Sequence, residues 1–223
     1  LLNILPAPIV EELKHRQTEH NTNHMVLAQR FDEVTILFAD IVNFTQWASQ
    51  VSPIELVNVL NAIFSRFDQL ADQHGLEKIK TIGDAYMVVG GLPTPRPDHA
   101  VAVANMALDM LQVIREFHQD KCEPFCLRIG INTGTAVAGV IGIRKFTYDL
   151  WGDAVNLASR MESQGVVDAI QVTETTYERL RDRYQFEPRG TVKIKGKGEM
   201  QTYLLRGKLT NRSCLQRDQT AVN

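Results

Sequence analysis

The alternation of apolar and polar positions along this chain predicts a fold in which strands and long helices follow one another. A run of β-branched and aromatic residues at 34–38 predicts a buried strand that ends at Asp40. The next segment has the start and stop signals of a helix, because Ser52 can cap it, Pro53 suits its first position, and Gly75 follows its end. Apolar residues recur at helical spacing between these limits, so we expect this helix to pack on the sheet.

A tight hairpin and a second long helix continue the pattern. Two short apolar runs at 76–82 and 85–89 are separated only by Gly83 and Asp84, which indicates a two-residue turn. The further expected elements are a helix at 98–117, a strand at 126–132 leading into a glycine-rich hairpin region at 134–142, helices near 153–162 and 173–181, and short strands as far as residue 205. This order predicts an α+β fold with a ferredoxin-like βαββαβ core and an antiparallel sheet, extended by a C-terminal α/β subdomain.

The two ends of the chain are more polar than its centre. Residues 1–30 are polar and weakly amphipathic and are expected to form a linker or transducer helix. Residues 207–223 are expected to form a frayed polar tail, which leaves one domain at 31–206. No apolar run approaches the roughly 20 residues that cross a bilayer. The chain begins at Leu1 without the pattern of a secretory signal, so we expect it to be a piece of a longer polypeptide.

Composition narrows the class of protein. A chain of 223 residues with 44% hydrophobic residues can bury a substantial core and is large enough for an enzyme. The formal net charge of -2 argues against a broadly basic protein that coats nucleic acid or an anionic membrane, so any cationic site must be local. Cys122, Cys126 and Cys214 have no paired spacing, which favours free thiols in a reducing cytosol over a disulfide or a metal site.

Two aspartates are expected to meet at one edge of the sheet. Asp40 ends a central strand and Asp84 lies on the neighbouring hairpin, so the predicted topology brings their carboxylates together. Such a pair suits Mg²⁺ or Mn²⁺ when substrate phosphates and water complete the coordination shell. Either aspartate alone is more simply explained as the cap of a turn or helix, whereas the two together favour a metal site.

Two predicted helices carry groups that suit phosphate. A turn opens into a helix at Phe44 and Thr45, where free backbone N–H groups and the helix dipole favour an anion. Asn156 and Arg160 stand four residues apart on one face of a helix that Asp153 would cap. That face suits a developing phosphate charge, and the alternative explanation is an ordinary solvated polar face.

A row of lysines follows near the end of the domain. Lys193, Lys195 and Lys197 alternate along a predicted strand, so their side chains would leave the same side of it. Such a row can hold a polyphosphate, or it can protect an edge strand from pairing with another chain.

Four ordered motifs resemble the catalytic domain of the class III adenylyl and guanylyl cyclases. They are ILFADIVNFT at 36–45, KIKTIGDAYM at 78–87, RIGINTG at 128–134 and YDLWGDAVNLASR at 148–160. The resemblance covers about residues 30–206, and four motifs in order are far more specific than any one of them alone.

The resemblance implies how metal and triphosphate would be held. Asp40 and Asp84 would bind two divalent metal ions, Mg²⁺ or Mn²⁺, with the backbone carbonyl of Ile41 as a further ligand. The backbone amides of Phe44 and Thr45 would lie near the triphosphate.

The resemblance also implies roles for cationic and amide side chains. Arg144 would bind phosphate, and Lys195 would bind the terminal phosphate, with Lys193 or Lys197 as a substitute. Asn156 would orient the ribose, and Arg160 would neutralise charge at the α-phosphate in the transition state.

Lys80 and Asp149 occupy the positions that read the base in the family. A lysine that donates to adenine N1 and an aspartate that accepts from the N6 amine suit ATP, whereas guanylyl cyclases typically carry Glu and Cys there. The resemblance therefore favours an adenylate cyclase.

In the family the metal aspartates and the phosphate arginine come from one subunit, and the base-reading and Asn–Arg pairs come from the other. This chain carries all of them, so we expect a head-to-tail homodimer with two shared active sites and ATP as substrate. We also expect an upstream regulatory domain in the same polypeptide and a cytoplasmic location within a larger multidomain or membrane-anchored protein. Two alternatives stay open: a guanylate cyclase, or a cyclase-like module without catalysis that serves dimerisation or regulation.

Overall fold

A computed structural model describes residues 5–18, 27–121, 125–142 and 146–209 of the chain. Its elements in chain order are α1 (Ala7–Thr18), β1 (Leu27–Val42), α2 (Phe44–Ala48), α3 (Pro53–His74), β2 (Glu77–Ile82), β3 (Ala85–Gly90), α4 (His99–Lys121), β4 (Cys126–Ile141), β5 (Thr147–Trp151), α5 (Asp153–Ser163), β6 (Ala169–Thr173), α6 (Glu174–Leu180), β7 (Tyr184–Ile194) and β8 (Gly198–Lys208). Among the residues in these ranges, no helix is both long and apolar enough to span a membrane.

One eight-stranded sheet organises the domain. Its order is β2-β3-β1-β4-β6-β8-β7, and β5 pairs with β4 outside this path. Neighbouring strands are antiparallel except β4 and β6, which are parallel. The elements β1, α3, β2, β3, α4 and β4 form the predicted ferredoxin-like core, and the C-terminal strands extend the same sheet beyond β4. The predicted α+β fold is confirmed.

The sheet separates two apolar layers. Successive residues of β1 point to opposite faces, so Leu37 packs in the layer with α3 and α4 while Ile36 and Phe38 pack in the other. The second layer contains α5, β5 and α1, whose Ile9 is 6% exposed. Because β1 is buried on both faces, polar side chains near its end are held in a fixed scaffold.

The predicted signals of α3 and of the hairpin are confirmed. The Ser52 hydroxyl accepts a hydrogen bond from the Glu55 backbone N–H at 3.2 Å, and Gly75 ends the helix in the left-handed region with φ 62°. Gly83, also left-handed with φ 63°, forms the turn between β2 and β3 with Asp84. This turn fixes Asp84 beside the end of β1.

The glycine-rich segment at 134–142 does not turn back on itself; its residues 137–141 form the first arm of a hairpin with β5, so the prediction is correct in part. Strand β4 runs without a break to Ile141, because residues 136–140 pair with β1 on one side and residues 137–141 pair with β5 on the other. Gly139 allows a close approach of backbones, since a Cβ there would lie 2.7 Å from the carbonyl oxygen of Leu27. Strand β5 is antiparallel to β4, with Thr147 opposite Ile141.

The prediction that three lysines alternate along one strand is wrong. Strand β7 ends at Ile194, so Lys195 and Lys197 lie in the turn that leads to β8. Gly196, between these two lysines, has a φ angle of 82°, which an extended strand does not allow. The strands on both sides of this turn are longer than predicted, at 11 residues each, because each pairs with the other along most of its length.

The first and last strands of the sheet lie close to the predicted limits of the domain, residues 31 and 206. Strand β1 begins at Leu27, within the stretch expected to be a linker, and β8 ends at Lys208. Helix α1 lies in the same N-terminal stretch. The division into 1–30, 31–206 and 207–223 stays a prediction.

Candidate active site

Asp40 and Asp84 lie together at one end of the central hairpin. Asp40 is opposite Ala85 in the β1–β3 ladder, and Asp84 directly precedes Ala85 in the turn. Burial raises the pKa of the Asp40 carboxyl, the charge of Asp84 raises it further, and Arg128 opposes both effects. Two neighbouring carboxylates with this mutual repulsion favour a bound cation.

Two side chains that sequence reasoning missed surround Asp40. Arg128 on β4 donates from Nη2 to Asp40 Oδ2 at 3.0 Å and from Nε to Glu162 Oε1 at 3.1 Å. Glu162 on α5 is buried, and its pKa is raised by burial first and by the charge of Asp40 second. An arginine between apolar residues of a central strand requires a nearby acid, and that signal was present in the sequence.

The donor set fits a divalent cation that is bound together with a nucleotide. In the parts of the chain that the structure describes, no three His, Cys, Asp or Glu side chains form a metal site by themselves. Two carboxylates suffice for Mg²⁺ where substrate phosphates and water supply the other ligands. The β1–β3 pairing ends at Asp40, and Ile41 pairs with Leu127 on the β4 side, so its backbone is open on the Asp84 side. The Ile41 carbonyl stays a predicted ligand.

The turn after β1 places Phe44 and Thr45 at the start of α2. Asn43 adopts the left-handed conformation with φ 61° and turns the chain directly from the strand into this helix. The Phe44 ring is buried against Trp47, with ring centroids 5.6 Å apart, whereas Thr45 is exposed. The backbone N–H groups in the first turn of a helix have no intrahelical partner. The amides of Phe44 and Thr45 are therefore free to donate to a triphosphate, and that contact stays a prediction.

Lys80 and Asp149 are in direct contact within one chain. Lys80 Nζ donates to Asp149 Oδ2 at 2.5 Å, although the two residues belong to β2 and β5. The other carboxylate oxygen, Oδ1, accepts from the backbone N–H of Leu150 at 2.8 Å. The side chains are 35% and 15% exposed, so the pair is accessible to a ligand from one side. One cation and one oriented carboxylate therefore form a matched donor and acceptor.

Helix α5 carries the predicted Asn156 and Arg160 on its exposed face. The helix begins at Asp153 after Gly152, whose φ of 134° only glycine adopts readily, so Gly152 and not Asp153 is the N-cap residue. Asn156 and Arg160 line a cavity of about 500 Å³ together with Lys195 from the β7–β8 turn. The turn thus brings a lysine to the predicted phosphate side chains although the alternating row does not exist.

The neighbouring Lys197 has an acidic partner. It also lines this cavity, and its Nζ lies 2.7 Å from Asp153 Oδ2. Lys193 lies on β7. Arg144, the other predicted phosphate ligand, lies in residues 143–145, outside the described residues.

Glu162 and the predicted Arg160 lie on different faces of α5. Glu162 points to the sheet and contacts Arg128, whereas Arg160, two residues earlier, is exposed. Residues two apart on a helix point to nearly opposite sides, roughly 200° around the axis. Each chain therefore presents Arg160 away from its own Asp40.

Comparison with known proteins gives the same family as the motifs. The model of the adenylate and guanylate cyclase catalytic domain matches residues 26–207. An adenylate cyclase of Mycobacterium tuberculosis is 51% identical over 208 residues, which are 93% of this chain and 46% of that protein. The chain therefore spans about half the length of this relative.

Two solved structures share the fold. The catalytic core of a rhodopsin-guanylyl cyclase with converted specificity, in complex with ATPαS, has a TM-score of 0.78 and 39% identity, covering 81% of this chain and 98% of that one. The adenylyl cyclase CyaB from P. aeruginosa has a TM-score of 0.79 and 28% identity, covering 82% and 98%. This chain belongs to the adenylate and guanylate cyclase catalytic domain family, which confirms the resemblance stated from its motifs.

Proposed function

We propose that this chain is the catalytic domain of an adenylate cyclase, which converts ATP to 3′,5′-cyclic AMP and pyrophosphate. The observation that carries the proposal is the contact between Lys80 and Asp149. Adenine presents an acceptor at N1 beside a donor at N6, whereas guanine presents a donor at N1 beside an acceptor at O6. A lysine donor beside a carboxylate acceptor matches adenine, and it leaves unpaired groups against guanine.

The chemistry follows from groups on two separate surfaces. Two divalent ions held by Asp40 and Asp84 would supply the Lewis acidity that activates the ribose 3′-hydroxyl and balances the charge of the pyrophosphate. Arg160 neutralises the charge that develops at the α-phosphate, and Asn156 holds the ribose in line for displacement. Lys195, on the same cavity as Arg160, binds the terminal phosphate. Arg144 supplies a further phosphate contact.

A homodimer completes these sites. Because α5 presents Arg160 away from the Asp40 of the same chain, one protomer contributes the metal aspartates and the other contributes the Lys80 and Arg160 groups. Exposed apolar side chains that suit such an interface lie at the end of β2 and along the β4–β5 hairpin: Ile82, Ile141, Phe146 and Trp151. A two-fold axis then generates two equal sites.

The rest of the polypeptide controls this domain in our proposal. The M. tuberculosis relative is about twice as long as the matched segment, since the match covers 46% of it. We infer a regulatory domain upstream in the same polypeptide and a cytoplasmic position for the catalytic domain within a larger protein. Helix α1, packed on the second apolar layer, connects the two.

Turnover of ATP and GTP by the purified chain with Mn²⁺ tests the proposal. We expect kcat/KM to favour ATP by at least about tenfold, because a mismatched base leaves buried polar groups unpaired. A preference for GTP would reject the base assignment. Failure to turn over either nucleotide, in a preparation that is dimeric by light scattering, would favour a module without catalysis. Chelation of the metal with EDTA should abolish turnover.

A further inference from the structure

A buried amide holds the first turn of α5. Asn132 on β4 is 1% exposed, and its Nδ2 donates to the backbone carbonyl of Ala154 at 3.0 Å. Ala154 is the second residue of α5, two positions before Asn156. The sheet is therefore hydrogen-bonded to the turn that carries the predicted ribose-binding side chain.

The oxygen of this amide is paired with a second buried group. Thr173, the last residue of β6, donates from its hydroxyl to Asn132 Oδ1 at 2.7 Å and is 0% exposed. The carboxamide therefore has its oxygen toward Thr173 and its nitrogen toward Ala154. Rotation by half a turn would place the carboxamide oxygen against the Ala154 carbonyl, which can only accept, so the observed orientation is the one that satisfies that carbonyl.

Further buried hydroxyls support Thr173. The hydroxyl oxygen of Thr176 lies 3.4 Å from that of Thr173 and 3.0 Å from that of Thr133. The Thr133 hydroxyl oxygen lies 2.8 Å from that of Thr35. The contacts continue to His99, whose Nδ1 is 2.7 Å from the Thr35 hydroxyl and whose Nε2 is 3.1 Å from Glu33 Oε1. Buried networks in which every member is paired are rigid and specify one arrangement.

The other half of α5 is held by close packing. A Cβ added at Gly130 would lie 2.0 Å from the backbone nitrogen of Glu162, so helix and strand touch directly there. The same end of the helix is bonded to β4, because Arg128 Nε donates to Glu162 Oε1 at 3.1 Å. The Asn132 bond is the corresponding tie between β4 and the first turn, at the opposite end of the helix.

We propose that Asn132 and Thr173 are positioning residues that hold the first turn of α5, and thereby Asn156 and the helix that carries Arg160, for the reaction. The inference rests on the proposed cyclase function, and it adds two residues that do not touch the substrate. A displacement of about 1 Å of catalytic side chains costs on the order of 100-fold in rate. Loss of this anchor therefore acts on kcat.

Four single variants test the proposal in the dimeric enzyme with saturating Mn²⁺. Asn132→Ala and Thr173→Val should each lower kcat by about 10- to 100-fold, with KM for ATP changed less than about threefold. Thr173→Ser keeps the hydroxyl and should restore kcat to within about twofold of the wild type. Thr173→Val keeps the side-chain volume, so it decides the question if Asn132→Ala fails to fold.

Thr202→Val is the matched control. Thr202 is opposite Thr173 in the β6–β8 ladder, is equally buried, and donates its hydroxyl to a backbone carbonyl, that of Gly190, at 3.0 Å. Its loss should lower the melting temperature about as much as Thr173→Val while leaving kcat within about twofold. An equal fall in kcat for both variants would overturn the proposal, as would wild-type kcat in Asn132→Ala.

Hydrogen exchange separates this proposal from the proposed function. Peptides that cover the first turn of α5 should exchange faster in Asn132→Ala and Thr173→Val than in Thr202→Val, whether or not ATP is turned over. Unchanged exchange in that turn would refute the anchoring role. A wild-type protein without activity would refute only the proposed function.

Discussion

Complementation between two inactive variants is the sharpest test of the shared active site. In the proposed mechanism, Asp40→Ala removes a metal ligand, and Arg160→Ala removes the charge that neutralises the α-phosphate in the transition state; Arg160 lies on the exposed face of α5. Each homodimer then lacks one group at both of its sites. Removal of one transition-state donor typically costs about 100- to 1000-fold in kcat, so each variant alone should retain below about 1% of wild-type activity.

The expected recovery follows from counting sites. When equal amounts of the two variants exchange subunits at random, half of the dimers carry one copy of each. Such a dimer has one site with both defects and one site with none, so the mixture should reach roughly a quarter of wild-type activity per chain. A cyclic AMP assay on a titration of one variant with the other should peak at equal amounts.

A double variant controls for recovery that does not come from an intact shared site. A double variant, Asp40→Ala with Arg160→Ala in one chain, should give no recovery when mixed with the Asp40→Ala chain, because no intact site can form. If the two single variants show no recovery although labelled subunits exchange, Asp40 and Arg160 act within one chain, and the shared-site arrangement is refuted.

Three further predictions follow from the structure. Lys80→Glu combined with Asp149→Cys should shift the ratio of kcat/KM for ATP and GTP toward GTP, and unchanged selectivity would mean that the base is read elsewhere. Burial, and then the charge of Asp72, raise the pKa of the Glu77 carboxyl from 4.5 to about 7. The folded state therefore binds this proton more tightly than the unfolded state does. The resulting stability is fully present below pH 4.5 and is lost as the pH rises through about 7. In denaturant unfolding, Glu77→Gln should therefore stabilise the fold by roughly 1–3 kcal/mol at pH 8 and by little at pH 4.5. An equal effect at both pH values would contradict this pKa. Glu199→Gln, at an exposed residue, is the control. Gly130→Ala should cost about 1–3 kcal/mol or prevent folding, because its Cβ would overlap the α5 backbone, and a wild-type melting temperature would show that α5 is not held as described.

Local signals in the sequence were sufficient for much of the fold. Ser52 and Gly75 specify the ends of α3 by side-chain capping and a left-handed φ, which depend only on near neighbours. Gly83 and Asp84 specify the hairpin in the same way. The order of these elements leaves few topologies, and for that reason the meeting of Asp40 and Asp84 could be predicted.

Signals that depend on distant partners could not be interpreted from the sequence. Glycines at 134–142 suggested a turn, but pairing with β1 and β5 on both sides keeps them in a strand. The lysines of 193–197 suggested a strand, but the glycine between the last two of them imposes a turn. In both cases the glycine is equally consistent with a turn and with a close backbone approach, and only the neighbouring strand decides which of the two forms.

The sequence by itself determined the order of strands and helices in the core, the caps of α3, and a set of candidate site residues in family order, because these follow from short-range patterns. Only the tertiary structure decided that Arg128 bridges Asp40 and Glu162, and that Asn132 holds the first turn of α5. Arg128 and Asp40 are 88 residues apart in the chain, and their contact exists because antiparallel pairing of β1 and β4 places them opposite each other. A contact of this kind is a property of register and packing, and no local pattern encodes it.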